Sequence, residues 1–171
     1  NDGRPGIFSH RAAPLQVSYL GYPGTSGMAH IDYLIADRLT VPVEYESHYS
    51  ERIARLPVCY QCNDARRPIA AKVFTRLELG LPAGGFVFCS FNNSYKITPE
   101  VFDVWMRLLR QVEGSVLWLL QDNPAVPDNL RREATARDVS PDRLVFAERM
   151  PPDEHLARHR CADLFLDTWP V

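Results

Sequence analysis

The stretch FVFCSFNNSYKI, residues 86–97, decides the fold. Six apolar-leaning residues stop at Asn92, Asn93 and Ser94, a lysine follows at Lys96, and Thr98-Pro99-Glu100 opens a helix. That is the pattern of a buried strand, a short polar turn and a helix N-terminus. In an open α/β sheet the ligand sits beyond the carboxyl ends of the strands, where helix N-termini direct N–H groups and the positive end of their dipoles at an anion. A lysine placed there suits a phosphate. The same pattern serves an ordinary βα loop with a solvated lysine, and a phosphate-loop motif standing alone is weak evidence.

Downstream the rhythm is regular. Val101, Phe102, Trp105, Leu108, Leu109 and Val112 recur at helical spacing, which predicts a helix over 99–112 with one apolar stripe. Thr98 suits its cap, Pro99 its first turn and Gly114 its end, and Trp105 falls in the core. SVLWLL, residues 115–120, is an unbroken apolar run, as a strand buried on both faces of a parallel sheet requires. A helix over 128–139, a strand over 143–147, a helix over 153–159 and a strand over 163–167 complete the series. Strands alternating with helices at this pace indicate βαβ units, and right-handed crossovers make them a doubly wound parallel sheet. The polar residues after the strands then share one edge: Asn92, Asn93 and Lys96, Gln121 and Asp122, residues 148–155, and Asp167 with Thr168. Amides, a cation and an imidazole without a D-x-D pair suit a nucleotide with a charged tail better than a divalent metal.

Upstream, residues 15–20 (LQVSYL) read as a strand running into GYPGTSG, residues 21–27. Three glycines, a proline and two hydroxyls make a loop whose backbone can approach a ligand closely. The alternative is a tight connection using left-handed positions. Residues 31–37 predict a second strand, Pro42 breaks regular structure, residues 48–53 predict one or two helical turns, and 55–60 another extended piece. So few strands cannot close a sheet. Residues 1–76 are therefore expected to be the latter part of one domain and 77–171 the first part of a second, with NDARRP, residues 63–68, as the link. His30 and His48 read as hydrogen-bonded or surface histidines before catalytic ones.

With 171 residues, 46% of them hydrophobic, the chain can bury a sizeable core. Its net charge of −2 and dispersed cations give no reason to expect nucleic acid. It has neither a secretory leader pattern nor an apolar run of about 18 residues, so a membrane partner is not expected. Of four cysteines, Cys59 and Cys62 form a C-x-x-C without a second ligand pair, which favours reduced thiols over zinc or redox chemistry and a cytoplasmic setting. A start at Asn1 and an end at Trp169-Pro170-Val171 read as an internal segment of a larger protein.

LGYPGTSG (20–27), YSERIARLP (49–57), SFNNSYKI (90–97), SVLWLL (115–120), PPDEHLAR (151–158) and CADLFLDT (161–168) together resemble the O-linked N-acetylglucosamine transferases, in the same order, and the wording of the loops between them resembles bacterial members. The resemblance implies the GT-B architecture, two Rossmann-like domains facing a cleft, here represented by the end of the first and the beginning of the second. It implies inverting, metal-independent transfer of N-acetylglucosamine from UDP-N-acetylglucosamine to serine and threonine hydroxyls of proteins, with no cofactor and with tetratricopeptide repeats ahead of the catalytic region. Position by position, Lys96 would neutralise the diphosphate of the leaving UDP and Asn93 would hydrogen-bond it. His155 would pack on the uracil with Arg158 near the uridine, and Leu20, Gly21 and Pro23 would face the donor sugar. Animal members carry a glutamine where this chain has Asn93 and a base-contacting lysine where it has Pro152. The resemblance places a glycine- and threonine-rich diphosphate loop beyond Val171 and the histidine candidate for general base before Asn1. A non-catalytic nucleotide-binding scaffold of the same fold, or a transferase for another UDP-sugar or acceptor, is the alternative reading.

Overall fold

The computed structural model describes residues 4–169; Asn1-Asp2-Gly3 and Pro170-Val171 lie outside the described residues. The chain forms two compact units that divide between Ala65 and Arg66. Among the described residues no helix is long and apolar enough to cross a membrane.

The first unit carries a parallel sheet in the order β1 (Val17–Ser18), β2 (Tyr33–Asp37), β3 (Arg52–Leu56). Strand β2 pairs with β3 over five residues, from Tyr33 opposite Arg52 to Asp37 opposite Leu56. The helical turns expected over 48–53 are not there. A 3-10 helix spans Val43–His48 instead, Tyr49 is extended, and Arg52 already lies in β3. Pairing along β2 satisfies the backbone of 52–56 and overrides a weak local helix pattern. Strand β1 is shorter than expected because the chain bends after Ser18, with Leu20 at φ +59° and Gly21 at φ +110°.

The second unit is a four-stranded parallel sheet in the order β6-β5-β4-β7. Its elements run β4 (Val87–Ser90), α1 (Pro99–Gln111), β5 (Val116–Leu120), α2 (Val126–Thr135), β6 (Leu144–Ala147), α3 (Pro152–Arg158) and β7 (Leu164–Phe165). Strands β4, β5 and β6 each contribute to both faces. Phe88, Leu117, Leu119 and Leu144 meet Phe102, Trp105, Met106 and Leu109 of α1, while Val87, Cys89, Val116 and Trp118 meet Leu81, Ala147 and Cys161 on the other side. This two-sided burial is why SVLWLL has no polar alternation. Thr98 caps α1 by accepting the Val101 N–H on its side-chain oxygen, and Pro99 occupies the first turn. Strands β5 and β6 step outward on one side of β4 while β7 returns to the other, so the topological switch point lies between β4 and β7.

Residues 66–76, expected with the first domain, are tied to the second unit. The Ala70 N–H donates to the Asp153 carbonyl at 3.1 Å, and Cys161 Sγ to the Phe74 carbonyl at 3.3 Å. Arg76 donates to the carbonyls of Gly85 and Cys161 and pairs with Asp163 at 2.7 Å. The division therefore falls inside NDARRP, a polar, turn-rich run.

Gly85, at the start of β4, has φ +90°, and a Cβ there would collide with the carbonyl oxygen of Gly114. Both neighbours are backbone and cannot swing away. Gly85→Ala is expected to lower stability by at least about 1–2 kcal/mol, read as a lower urea midpoint at unchanged slope.

Candidate functional site

The turn after β4 is closed by its own backbone. Lys96 N–H donates to the Asn93 carbonyl and Ile97 N–H to that of Ser94, both at 3.0 Å, which makes Ser94–Lys96 a single 3-10 turn. Thr98 N–H returns to the Lys96 carbonyl at 3.1 Å. The Ser94 N–H donates to Asp122 Oδ2 at 2.8 Å. These amides, and that of Val101 at the α1 cap, are therefore engaged already. The expectation that free amides of the helix start would meet an anion is not met at these positions. What the turn offers is the partly buried Lys96 side chain and the exposed Asn93 amide, neither of which has a side-chain hydrogen bond among the described residues.

Asn93, His155 and Arg158 are brought together around a cavity of about 300 Å³ at the carboxyl edge of the sheet, with Phe91, Leu120, Arg149, Met150 and Pro152. Lys96 stands one turn from Asn93 and is not among the residues lining it. Arg158 is only 1% exposed. Its guanidinium lies 4.6 Å from the Phe91 ring centre and 5.5 Å from that of Trp118, and Nη1 donates to the Glu148 carbonyl at 2.8 Å. Its Nε and Nη2 are buried without a partner. Burial lowers its pKa, yet an arginine stays charged, so this is a fixed cation with unmet donors beside a cavity.

His155 packs edge-on against Phe91 at 5.1 Å and His159 at 4.6 Å. Burial pushes its pKa down to about 4, and the charges of Arg158 and His159 push the same way. At neutral pH it is a neutral imidazole, suited to stacking on a ring. Pro152, in place of a base-contacting lysine, occupies the first turn of α3, whose His155 N–H reaches the Pro151 carbonyl at 2.8 Å. Arg149 supplies a cation to the same cavity that sequence reasoning had not singled out. At the switch point Asn92 Nδ2 donates to Asp167 Oδ1 at 2.9 Å and joins the ends of β4 and β7.

Leu20, Gly21 and Pro23 belong to the first unit. Leu20 is half exposed in a left-handed conformation that costs a residue with a side chain about 1–3 kcal/mol, a cost that persists only where the surroundings hold the loop in place. Glu51, just before β3, does so. It is 4% exposed, with Oε1 accepting the Ser26 N–H at 2.7 Å and the Ser26 hydroxyl, and Oε2 accepting the Thr25 hydroxyl at 2.7 Å. Tyr49 adds a bond from its hydroxyl to the Pro23 carbonyl at 3.2 Å. Burial pushes the Glu51 carboxyl up, but the bonds from Ser26 and Thr25 outweigh it and hold the pKa at about 2. Sequence reading missed Glu51 because its partners lie some 25 residues away and no local pattern announces the pairing.

All four cysteines are free, Cys59 and Cys62 exposed and Cys89 and Cys161 buried. Among the described residues no group of three or more His, Cys, Asp or Glu side chains is placed to hold a metal ion. His30 has a buried, unpartnered Nε2, and its carbonyl accepts from Gln16 at 2.7 Å.

The sequence matches Glycosyl transferase family 41 over residues 1–71 and 66–171. It is 39% identical over 167 residues to the probable UDP-N-acetylglucosamine–peptide N-acetylglucosaminyltransferase SEC of Arabidopsis thaliana, covering 95% of this chain and 17% of that protein. It is 24% identical over 273 residues to the UDP-N-acetylglucosamine–peptide N-acetylglucosaminyltransferase of Caenorhabditis elegans, covering 95% of this chain and 24% of that one. Among solved structures, a point mutant of the Thermobaculum terrenum O-GlcNAc transferase superposes with a TM-score of 0.79 at 31% identity, over 95% of this chain and 31% of its own. The chain thus spans between a sixth and a third of these relatives. The expected GT-B class holds, represented in part by a unit with a three-stranded parallel sheet and an α/β unit with a four-stranded one.

Glu51 makes a pH-dependent contribution whose sign follows from its depressed pKa. The contribution is complete above the ordinary value of 4.5 and is lost as pH falls toward about 2. Glu51→Gln is expected to cost about 2 kcal/mol at pH 7, with the difference from the parent closing between pH 4.5 and 2 in denaturant unfolding.

Proposed function

The chain belongs to glycosyl transferase family 41, and from that premise we propose that it is part of the catalytic region of an inverting, metal-independent glycosyltransferase. The donor is UDP-N-acetylglucosamine, the acceptor a serine or threonine hydroxyl of a protein, and no cofactor is required. The names of the Arabidopsis and C. elegans relatives support the donor and the peptide acceptor. A cytoplasmic setting agrees with four unpaired thiols. The observation that supports a nucleotide here most directly is the cavity around Asn93, His155 and Arg158, which combines a neutral stacking ring with a buried guanidinium whose donors are unmet.

In this reading the uracil stacks on His155, with Arg158 fixed beneath by Phe91 and Trp118. Asn93 and Lys96 take the diphosphate. The acceptor oxygen forms its bond to the anomeric carbon as the bond from that carbon to the UDP oxygen breaks on the opposite face. Negative charge grows on the diphosphate during that step. A lysine carried by the turn supplies the positive charge that offsets it, which lowers the barrier. Leu20, Gly21 and Pro23 form the donor-sugar contacts of the first unit, in a loop whose shape Glu51 and Tyr49 maintain.

Lys96→Ala is expected to weaken UDP binding and to lower turnover roughly 10²–10³-fold, the loss associated with removing one strong oxyanion contact. Calorimetric titration with UDP and release of UDP from UDP-N-acetylglucosamine, with and without a peptide acceptor, check it in the intact protein. A loss of less than threefold contradicts the assignment of Lys96. Binding of UDP without turnover identifies a scaffold. Turnover that persists unchanged in a chelator is expected, and its abolition contradicts a metal-independent reaction.

A further inference from the structure

We infer that Asp122, in the loop between β5 and α2, is the positioning residue that sets Lys96 in place by gripping the first residue of its turn. The inference rests on the reading of Lys96 as the diphosphate contact. Asp122 Oδ2 accepts both the Ser94 N–H at 2.8 Å and the Ser94 hydroxyl at 3.0 Å. Asn123 completes the clamp, donating from Nδ2 to the other Asp122 oxygen at 3.2 Å and to the Ser94 oxygen at 3.3 Å. Ser94 opens the one-turn helix that Lys96 ends.

The clamp is anchored on both sides. Gln121 N–H donates to the Ala147 carbonyl at 2.9 Å, which ties the loop to β6, and Asn123 Oδ1 accepts the Ala125 N–H at 3.1 Å, which ties it to the start of α2. Within itself the turn is held by two i to i+3 backbone bonds and the return of the Thr98 N–H to the Lys96 carbonyl, and such isolated 3-10 turns have little stability of their own. Lys96 has a long, flexible side chain with no hydrogen bond or ion pair among the described residues. The position of its ammonium group therefore depends on where the backbone of 94–96 is held. Burial opposes the Asp122 charge, yet the Ser94 amide and hydroxyl, with a smaller contribution from Arg149, keep its pKa below the ordinary carboxylate value. It is an ionised acceptor, and bonds to a charged acceptor are about twice as strong as neutral ones.

A carboxylate at this point has an opposite possible effect. It could compete with the diphosphate for Ser94, in which case its removal would tighten UDP. The two effects have different signs. UDP is titrated calorimetrically into the intact parent protein, Lys96→Ala, Asp122→Ala, Asp122→Asn and the Lys96→Ala/Asp122→Ala double variant, with thermal unfolding of each alongside. Positioning predicts that Asp122→Ala weakens UDP roughly tenfold. Asp122→Asn, which retains an acceptor oxygen for Ser94, stays within about threefold of the parent, and in the Lys96→Ala background the Asp122→Ala loss shrinks to less than about twofold. Ser94→Ala, which removes one donor and no charge, weakens UDP in the same direction and serves if Asp122→Ala fails to fold. Unchanged or tighter UDP binding in Asp122→Ala overturns the inference, as does a tenfold loss that persists in the Lys96→Ala background. If Lys96→Ala itself binds UDP like the parent, the assignment of Lys96 falls and takes the inference with it; if Lys96→Ala weakens UDP and Asp122→Ala does not, the inference alone falls.

Discussion

Every loop that leaves a parallel strand carries backbone N–H groups that the sheet ladder cannot satisfy, and here side-chain carboxylates accept many of them. Asp37, 3% exposed at the end of β2, accepts the amides of Leu39, Thr40 and Tyr60. Asp32 takes that of Gln16 together with the Arg11 guanidinium, and Glu51 that of Ser26. In the second unit Asp122 takes that of Ser94. An unpaired buried N–H costs about as much as a lost hydrogen bond, so these acids hold the loop geometry on which any site at the strand ends depends. The lowered pKa values of Asp32, Asp37, Glu51 and Asp122 have this shared origin, in which bonds from neighbouring amides and hydroxyls or a guanidinium exceed the penalty of burial.

The parts of the fold that could be read from sequence are those whose signal is local. Residues 86–91 and 115–120 are largely apolar because both their faces are covered, and α1 carries its cap, its proline and its stripe within fifteen residues. Their order along the chain then led to the doubly wound sheet. The segment 48–56 misled because its local pattern is ambiguous and its structure comes from pairing with β2. The short β7, only Leu164–Phe165, was expected to be longer for a related reason: DLFLD is apolar enough for five residues, but only two of its residues pair with β4.

The same division runs through the candidate site. Residue types at strand ends are visible in a sequence, so Lys96, Asn93, His155 and Arg158 could be named, with the family resemblance supplying their roles. What each side chain touches depends on contacts between residues 28 to 67 apart in the chain. No pattern in PPDEHLAR announces that Arg158 is buried between Phe91 and Trp118, and none in QDN that Asp122 holds Ser94. Likewise the turn after β4 looks like a source of free amides until its bonds are followed, whereupon Lys96 remains as its available cation.

These two features together reconcile the proposed anion site with a chain of net charge −2. The acids nearest the strand ends are directed onto backbone amides, and no carboxylate lines the cavity beside β4 and β6. The cations there are stabilised differently. Arg158 is held by ring faces and a carbonyl, partners that accept a guanidinium without cancelling its charge. Had a carboxylate paired with it instead, the pair would be neutral as a whole and would draw no anion. His155 is kept uncharged first by burial and then by the same guanidinium, so stacking and charge are assigned to different side chains. A nucleotide needs both, an apolar face for its base and fixed positive charge for its diphosphate. Net charge summed over the whole chain is therefore a poor guide to the sign of the field at the sheet edge; what decides it is which groups the backbone has already engaged.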